Sequence, residues 1–487
     1  MQTVAQKSPC VQTAQPQARE GTSIEEIAKH LQEVLGEKTE ELARKTNFVK
    51  RRSPITGKVF AQALIMGWLA MPDASYSQLQ QMLEVVGCDV SAQALEQRMT
   101  KEAGEFLKEI LHQAVEKVVI GEEVTTEILQ RFNGVFTQDG SVIGLPKSLE
   151  HVYQGFGGNT EESGKSGMRA QIRLNLNNGE MQGPWIKEAR ACEREGEGSF
   201  EELPPPVGSL SITDTGYFTL LRMRWMTETG KWWLTHAKAN LLIFDERGVK
   251  YTLVEYIKKN QHKQVIDAWV TIGNTSKTRQ EARLMAFRVS DQRAQQRREQ
   301  QNKNTQIRAK GSRRDVQVGK RRQRPSQDGR HRRRLSAKRM KLIEWTILLT
   351  NVPQSLLAPH EARALVRARW QIELIWRLWK ERGMLDIWRS TKDTRILCEI
   401  YAKLIGMLFQ QWFTILGCWS QPDRSMVKAS MAVQLLTPSL ALALSGPMTL
   451  QDILSAMKRA MYRATINSSK KRQRTCDLLK DPLLTAS

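Results

Sequence analysis

The chain has 487 residues, with 74 Lys or Arg against 51 Asp or Glu, a formal charge of +23. Such a surplus points to a polyanionic partner, nucleic acid ahead of an acidic membrane surface. The six cysteines (10, 88, 192, 398, 418, 476) form no CxxC pair and the seven histidines no HxxxH pair. That argues against a zinc site or a disulfide framework and suits a reducing cytoplasm.

Residues 1–22 are polar and expected to be disordered. The opening MQTVAQKSPCVQTAQPQ has no apolar stretch and does not read as a secretory signal. Helical periodicity then runs through Ile24–Lys45, Gly57–Met71, Ser75–Val86 and Ser91–Val119, with Ser91 as N-cap of the last. This predicts a helical domain over 23–130.

The pattern changes near Arg131. FNGVFTQDGSVIGLP predicts strand, turn, strand, with Asp139 at the first junction. GMRAQIRLNLNNGE, GPWIKEARAC and GSLSITDTG predict three more strands, the last stopping at Asp214. GYFTLLRMRWMTETG predicts a helix and KWWLTHAKANL a strand, so a mixed α/β sheet. Residues 240–290 read mostly as strand, KYTLVEYIKK included.

Residues 291–341 hold 19 Lys or Arg against four acids, about +15 of the whole surplus. The stretch is poor in apolar residues and is expected to be loosely ordered. It serves either as a solvated linker or as a phosphate-contacting segment. EWTILLTNVP predicts a buried strand. A helix from Pro359 to Gly383 follows, and the remainder to about 463 reads as helical, with a basic tail at SKKRQR. The longest apolar run, Leu404 to Trp419, is interrupted by Gln410 and Gln411. It is too short to span a bilayer and reads as a buried helix.

Chemistry is sought at strand ends, where α/β sheets collect functional groups. Asp139 and Asp214 stand at such ends, although a lone Asp there is most often a turn residue or cap. Glu373 lies on the later helix, in RARWQIELIWRLWKERG. There Arg369, Glu373, Trp376 and Lys380 share one stripe. Glu373 alone reads as half of an i,i+4 pair with Arg369. Taken with both aspartates it reads as the third carboxylate of a divalent-metal site for phosphodiester chemistry. GFGGNTEESGKSG is not a phosphate-binding loop, since five residues separate Gly158 from Gly164 where four are needed. Glu201 and Glu202 read as solvated.

These motifs resemble the DDE transposases of bacterial insertion sequences, in the insertion-sequence-four branch with a Tyr-Arg-Glu-Lys signature. Arg369, Glu373 and Lys380 match that signature in type and spacing, while Val366 stands at the Tyr position. TQDGSVIGLP resembles the block around the first Asp, and ITDTGYF the second, with Thr215 where Arg is usual. The resemblance covers roughly residues 55–420.

It implies an α/β fold: an RNase H-like mixed-sheet core over 131–239 and 346–420, with a mostly β insertion over 240–345. An all-helical N-terminal domain and a helical C-terminal region over 421–487 complete it. It implies cut-and-paste DNA transposition by metal-dependent hydrolysis and strand transfer. Asp139, Asp214 and Glu373 would bind two Mg²⁺, with Mn²⁺ able to substitute. Arg369 and Lys380 would contact DNA. Trp376 would either stack on an extruded base or pack beneath the site, and Trp370 and Trp379 would pack. The partners implied are terminal inverted repeats, target DNA and a second copy in a homodimer, in the cytoplasm at the bacterial nucleoid and away from membrane. SAQALEQRMTKEAGEFL, with Gln97 and Arg98, reads equally as a recognition helix or as plain packing. The rival function is a catalytically inactive, transposase-derived DNA-binding protein.

Overall fold

The computed structural model describes residues 20–36, 38–157, 164–217, 219–300, 342–421, 424–446, 448–464 and 475–483. The disorder expected for 1–22 therefore falls almost wholly outside the described residues, as do 158–163 of the glycine-rich loop and 301–341 of the basic stretch. The chain divides into two compact units, Met1–Ser209 with Arg367–Ser487, and Leu210–Val366. Ten strands, named below, lie among the described residues: six fall in motifs that the sequence marks as strands, and the other four lie in the stretch 240–290 read mostly as strand.

The first unit opens with seven helices: α1 (Ile24–Leu35), α2 (Lys38–Lys45), α3 (Gly57–Ala70), α4 (Tyr76–Val85), α5 (Ala92–Gln97), α6 (Lys101–Val115) and α7 (Glu127–Gln130). Their starts are chemically marked. Ser23 with Glu26 and Ser75 with Gln78 form reciprocal capping boxes. Ser91 caps as expected, its hydroxyl accepting from the Ala94 N–H at 3.1 Å. The single helix expected from Ser91 is instead two, because Thr100 supplies a second N-cap for α6.

Three antiparallel strands follow, β1 (Val135–Leu145), β2 (Ser166–Asn175) and β3 (Met181–Glu188), in the order β3-β2-β1. Here the sequence reading needs correction. Asp139 and Gly140 make no turn. β1 pairs with β2 without interruption from Phe136↔Asn175 to Leu145↔Ser166. Asp-Gly favours a turn locally, but a full ladder overrides that preference.

The second unit holds β4 (Leu210–Thr213), α8 (Leu220–Glu228), β5 (Trp232–His236), β6 (Leu242–Phe244), β7 (Lys250–Thr252), α9 (Leu253–Lys259), β8 (Val265–Ile272), β9 (Gln280–Arg288) and β10 (Trp345–Thr350). Its strand order is β4-β5-β10-β9-β8-β6-β7. β4 and β5 are parallel and joined by α8, a βαβ crossover, and the remaining neighbours are antiparallel. Trp233, Ile243, Ile257, Ile272, Leu284 and Leu349 lie in its core. KYTLVEYIKK is strand only as far as Thr252. The Thr252 hydroxyl and the Glu255 carboxylate form a capping box that starts α9. Residues 291–300 are helical rather than loose. Arg297 reaches back to the strand that follows, donating to the carbonyls of Ile343 and Trp345 at 3.1 and 3.2 Å. Most of α10 (Pro359–Ala368) also belongs to this unit.

The chain returns to the first unit with α11 (Trp370–Glu381), α12 (Asp393–Cys418), α13 (Met426–Ser445), α14 (Leu450–Ala464) and α15 (Thr475–Lys480). The helix expected from Pro359 to Gly383 is thus two, separated at Arg369, whose backbone keeps right-handed helical angles (φ −52°, ψ −27°). α12 is buried along nearly its whole length against α3, α6 and α14. The N-terminal helices therefore share one core with the C-terminal ones. Among the described residues α13 has the length and apolar composition of a membrane span. It carries Pro438 and packs on α3 and α14.

Burial in α12 pushes the thiols of Cys398 and Cys418 up to about 12. Both are expected to remain unalkylated by iodoacetamide at pH 8 in the native protein and to react once it is denatured. Peptide mass spectrometry reads the difference.

Candidate active site

In the first unit, Asp139 sits mid-strand on β1 and is half-buried, opposite Ile172 of β2. Strand alternation places it on one face with Thr137, Ser141 and Ile143. The preceding residue, Gln138, points to the other face, into a buried polar network. Arg173 Nε donates to Gln138 Oε1 at 3.0 Å, and Gln138 Nε2 donates to the Gly198 carbonyl at 2.8 Å. Arg173 also donates to the carbonyls of Leu203 and Gly198, at 2.6 and 3.1 Å. A fully buried guanidinium with this many acceptors fixes the strand beside Asp139.

Glu373 lies in the first turn of α11, which packs on β1. Its Oε1 accepts from Arg369 Nη2 at 2.5 Å. The i,i+4 pair read from the sequence is therefore present, and it is partly buried, at 18% and 29% exposure. Lys380, two turns on, donates from Nζ to the Val142 carbonyl at 3.2 Å. This bond ties α11 to the strand that carries Asp139. The first unit thus brings Asp139 and Glu373 onto neighbouring elements. Arg369 and Lys380, expected at DNA, are both engaged within the protein here.

The tryptophans of α11 separate by exposure. Trp379 is buried, as expected. Trp376 is 6% exposed, lies edge-on to Trp379 at 5.1 Å and 78°, and its indole N–H is buried without a hydrogen-bond partner. That degree of burial fits packing beneath the helix, one of its two readings. Trp370, expected to pack, is instead 48% exposed, with the Arg377 guanidinium 5.4 Å from its ring.

In the second unit, Asp214 is exposed and follows β4 directly, at the C-terminal end of a parallel strand. Its carbonyl accepts from the Tyr217 N–H at 3.0 Å, closing a turn over the buried Tyr217 ring. Ligands and reacting groups collect at such ends. Arg98 does not face outward as a base-reading residue would. It donates to the Phe48 carbonyl at 3.1 Å, with its guanidinium 4.2 Å from the Phe48 ring. Among the described residues, no group of three or more His, Cys, Asp or Glu is gathered as a metal centre. Within the first unit, Asp139 and Glu373 on neighbouring elements both offer carboxylate oxygens, the donor type a hard divalent cation prefers.

One feature near α11 escaped the sequence reading. Arg395, Glu399 and Lys403 on α12 are charged yet only 1–2% exposed. Their spacing of four, within an otherwise apolar helix, is the signal that marks them.

The sequence profile described as Transposase DDE domain matches residues 131–409, more than half of the chain. The chain belongs to the DDE transposase family. The match runs from just before β1 into α12, so it contains Asp139, Asp214 and Glu373. Full-length similarity agrees. The transposase of insertion sequence element IS231F from Bacillus thuringiensis subsp. israelensis is 23% identical over 92% of this chain and 91% of its own length. That of IS231C from Bacillus thuringiensis subsp. berliner is 26% identical over 79% and 77%. That of IS1151 from Clostridium perfringens is 23% identical over 75% and 76%. This DDE transposase is accordingly a DNA transposase, and the inactive DNA-binding alternative is not favoured.

Proposed function

We propose that this transposase moves its own insertion sequence by cut-and-paste. It would hydrolyse the phosphodiester at the element's end and join the freed 3′-OH, or a hairpin derived from it, to target DNA. The observation that carries the reading is the fixed placement of Asp139 and Glu373 on packed elements of one unit, inside the matched family segment. Asp139, Asp214 and Glu373 are the residues that would hold divalent metal, two Mg²⁺ or Mn²⁺ in their place. Such ions supply activation of the attacking oxygen and stabilisation of the leaving one.

The chain's own groups position. Arg369 holds the Glu373 carboxylate in place, and its guanidinium would also serve to contact a phosphate beside it. Lys380 fixes the helix on β1 and lies on the same stripe as Glu373, where it would contact the DNA backbone. Trp376 supplies the packed floor, and stacking on a base would require it to emerge. Both element ends must be held together, which calls for a homodimer. Incubating protein, end DNA and Mg²⁺ tests the proposal: cleavage followed by joining supports it, cleavage without joining indicates a nuclease, and binding alone indicates an inactive derivative.

The basic stretch adds affinity for phosphates of end or target DNA. Residues 301–341 hold 16 Lys or Arg against two acids. Replacing them with a short Gly-Ser linker is expected to weaken DNA binding at low salt. It should also flatten the dependence of log K on log salt by several units, since each phosphate neutralised contributes about 0.9 to the slope. Filter binding across a salt series reads this. An unchanged slope removes the segment from the DNA interface.

A further inference from the structure

We propose that Lys403 of α12 is a positioning residue for the Glu373 helix, acting through the strained turn that ends it. The inference rests on the assignment of Glu373 to the active site, and it concerns residues that carry no role in that assignment.

α11 ends in a tight cap. The N–H groups of Arg382 and Gly383 both donate to the Leu378 carbonyl, at 2.9 and 3.0 Å, and the Leu385 N–H donates to that of Trp379 at 3.1 Å. Such a cap places one residue in the left-handed region, where Gly is the usual occupant. Here that residue is Met384, at φ +45°. The neighbouring Gly383 is needed for a different reason, since a Cβ there would lie 2.7 Å from the Trp379 carbonyl oxygen. A Met in the left-handed region persists only when its surroundings over-determine it.

Lys403 does so. Its Nζ donates to the Met384 carbonyl at 2.9 Å and to the Ile387 carbonyl at 2.7 Å. It pairs with Glu399 Oε1 at 2.8 Å, which uses the third of its three donors. Glu399 is in turn flanked by Arg395, 3.6 Å away, whose guanidinium lies over the Tyr76 ring and donates to the Ala74 carbonyl. Lys403 therefore connects the end of α11 to the central helix of the unit. Lys380 binds the same end of α11 to β1. Together the two lysines set where α11 sits along β1, and hence the separation between the Glu373 and Asp139 carboxylates. Without Lys403, Met384 is free to leave its left-handed conformation, and the helix can slip along the strand.

Two readouts test this, the first without metal. In metal-free protein, Lys403→Met is expected to speed amide exchange at Gly383 and Leu385 at least tenfold while the amides of α3 and α6 keep their protection. In cleavage of end DNA it should raise the Mg²⁺ concentration for half-maximal rate about tenfold, with DNA affinity within twofold of wild type. Adding Met384→Gly, which accepts the turn without a clamp, should restore both quantities. Should Lys403→Met fold poorly, the apolar triple replacement Arg395→Met, Glu399→Leu, Lys403→Met takes its place and is expected to show the same two shifts and the same rescue. Unchanged exchange at the cap, an unchanged Mg²⁺ requirement, or a lack of rescue overturns the proposal. Glu373→Gln is the separate control. Full cleavage by that variant would overturn the active-site assignment itself, whereas an inactive Glu373→Gln beside an unaffected Lys403→Met overturns only the positioning role.

Discussion

Asp139→Asn, Asp214→Asn and Glu373→Gln are each expected to lower metal-dependent cleavage of end DNA on the order of 10³-fold, without loss of fold. If the three carboxylates hold metal as proposed, losing one would remove several kcal/mol of transition-state stabilisation, and about 4 kcal/mol corresponds to that factor. The stability side is small. The Arg369–Glu373 pair is partly solvated, and such pairs contribute at most about 1 kcal/mol. Asn and Gln also preserve side-chain shape. Single-turnover cleavage of a labelled end, run beside thermal melts, separates the two effects. A variant that melts like wild type and cuts at the wild-type rate would remove its carboxylate from the site.

Glu399→Gln is expected to be the most destabilising of the isosteric changes, by about 3–5 kcal/mol, because it leaves the buried charges of Lys403 and Arg395 without their counter-ion. Burial already lowers the pKa of Lys403, opposed chiefly by Glu399. The apolar triple replacement should cost far less, since it removes the desolvated charges together with the need to balance them. Because the chain has two compact units, unfolding is best followed by amide exchange within α12, which reports the first unit alone. A Glu399→Gln protein with wild-type protection there would mean that the triad is neutral rather than ionic.

Much of this was legible in the residues. Asp214 follows a short apolar strand, and Glu373 lies four residues after Arg369 on a helix, as the sequence indicates. What misled was local chemistry outweighed by pairing. Asp139-Gly140 carries the composition of a turn, yet ten paired positions with β2 hold it straight. The reverse happened at Thr252, where a capping box converts an apparent strand into α9. Trp370 and Trp376 differ by six positions and share one helix, but their exposure depends on what packs against each, which periodicity alone does not report. The cap after α11 was invisible for a similar reason. Gly383 marks a helix end, but the residue that takes the left-handed angle is the Met beside it, and its support comes from 19 residues downstream.

One backbone bond bears on how far this chain tolerates a change of length. The Val289 N–H donates to the Glu344 carbonyl at 2.8 Å, just where β9 hands over to β10. Residues 289 and 344 thus stand side by side at the ends of two paired strands, with 54 residues of chain between them. Doubling the length of such a connection costs only about 0.6 kcal/mol of closure entropy. Shortening or lengthening this stretch is therefore expected to leave the strands on either side paired, and a foreign domain grafted there should leave the rest of the molecule folded.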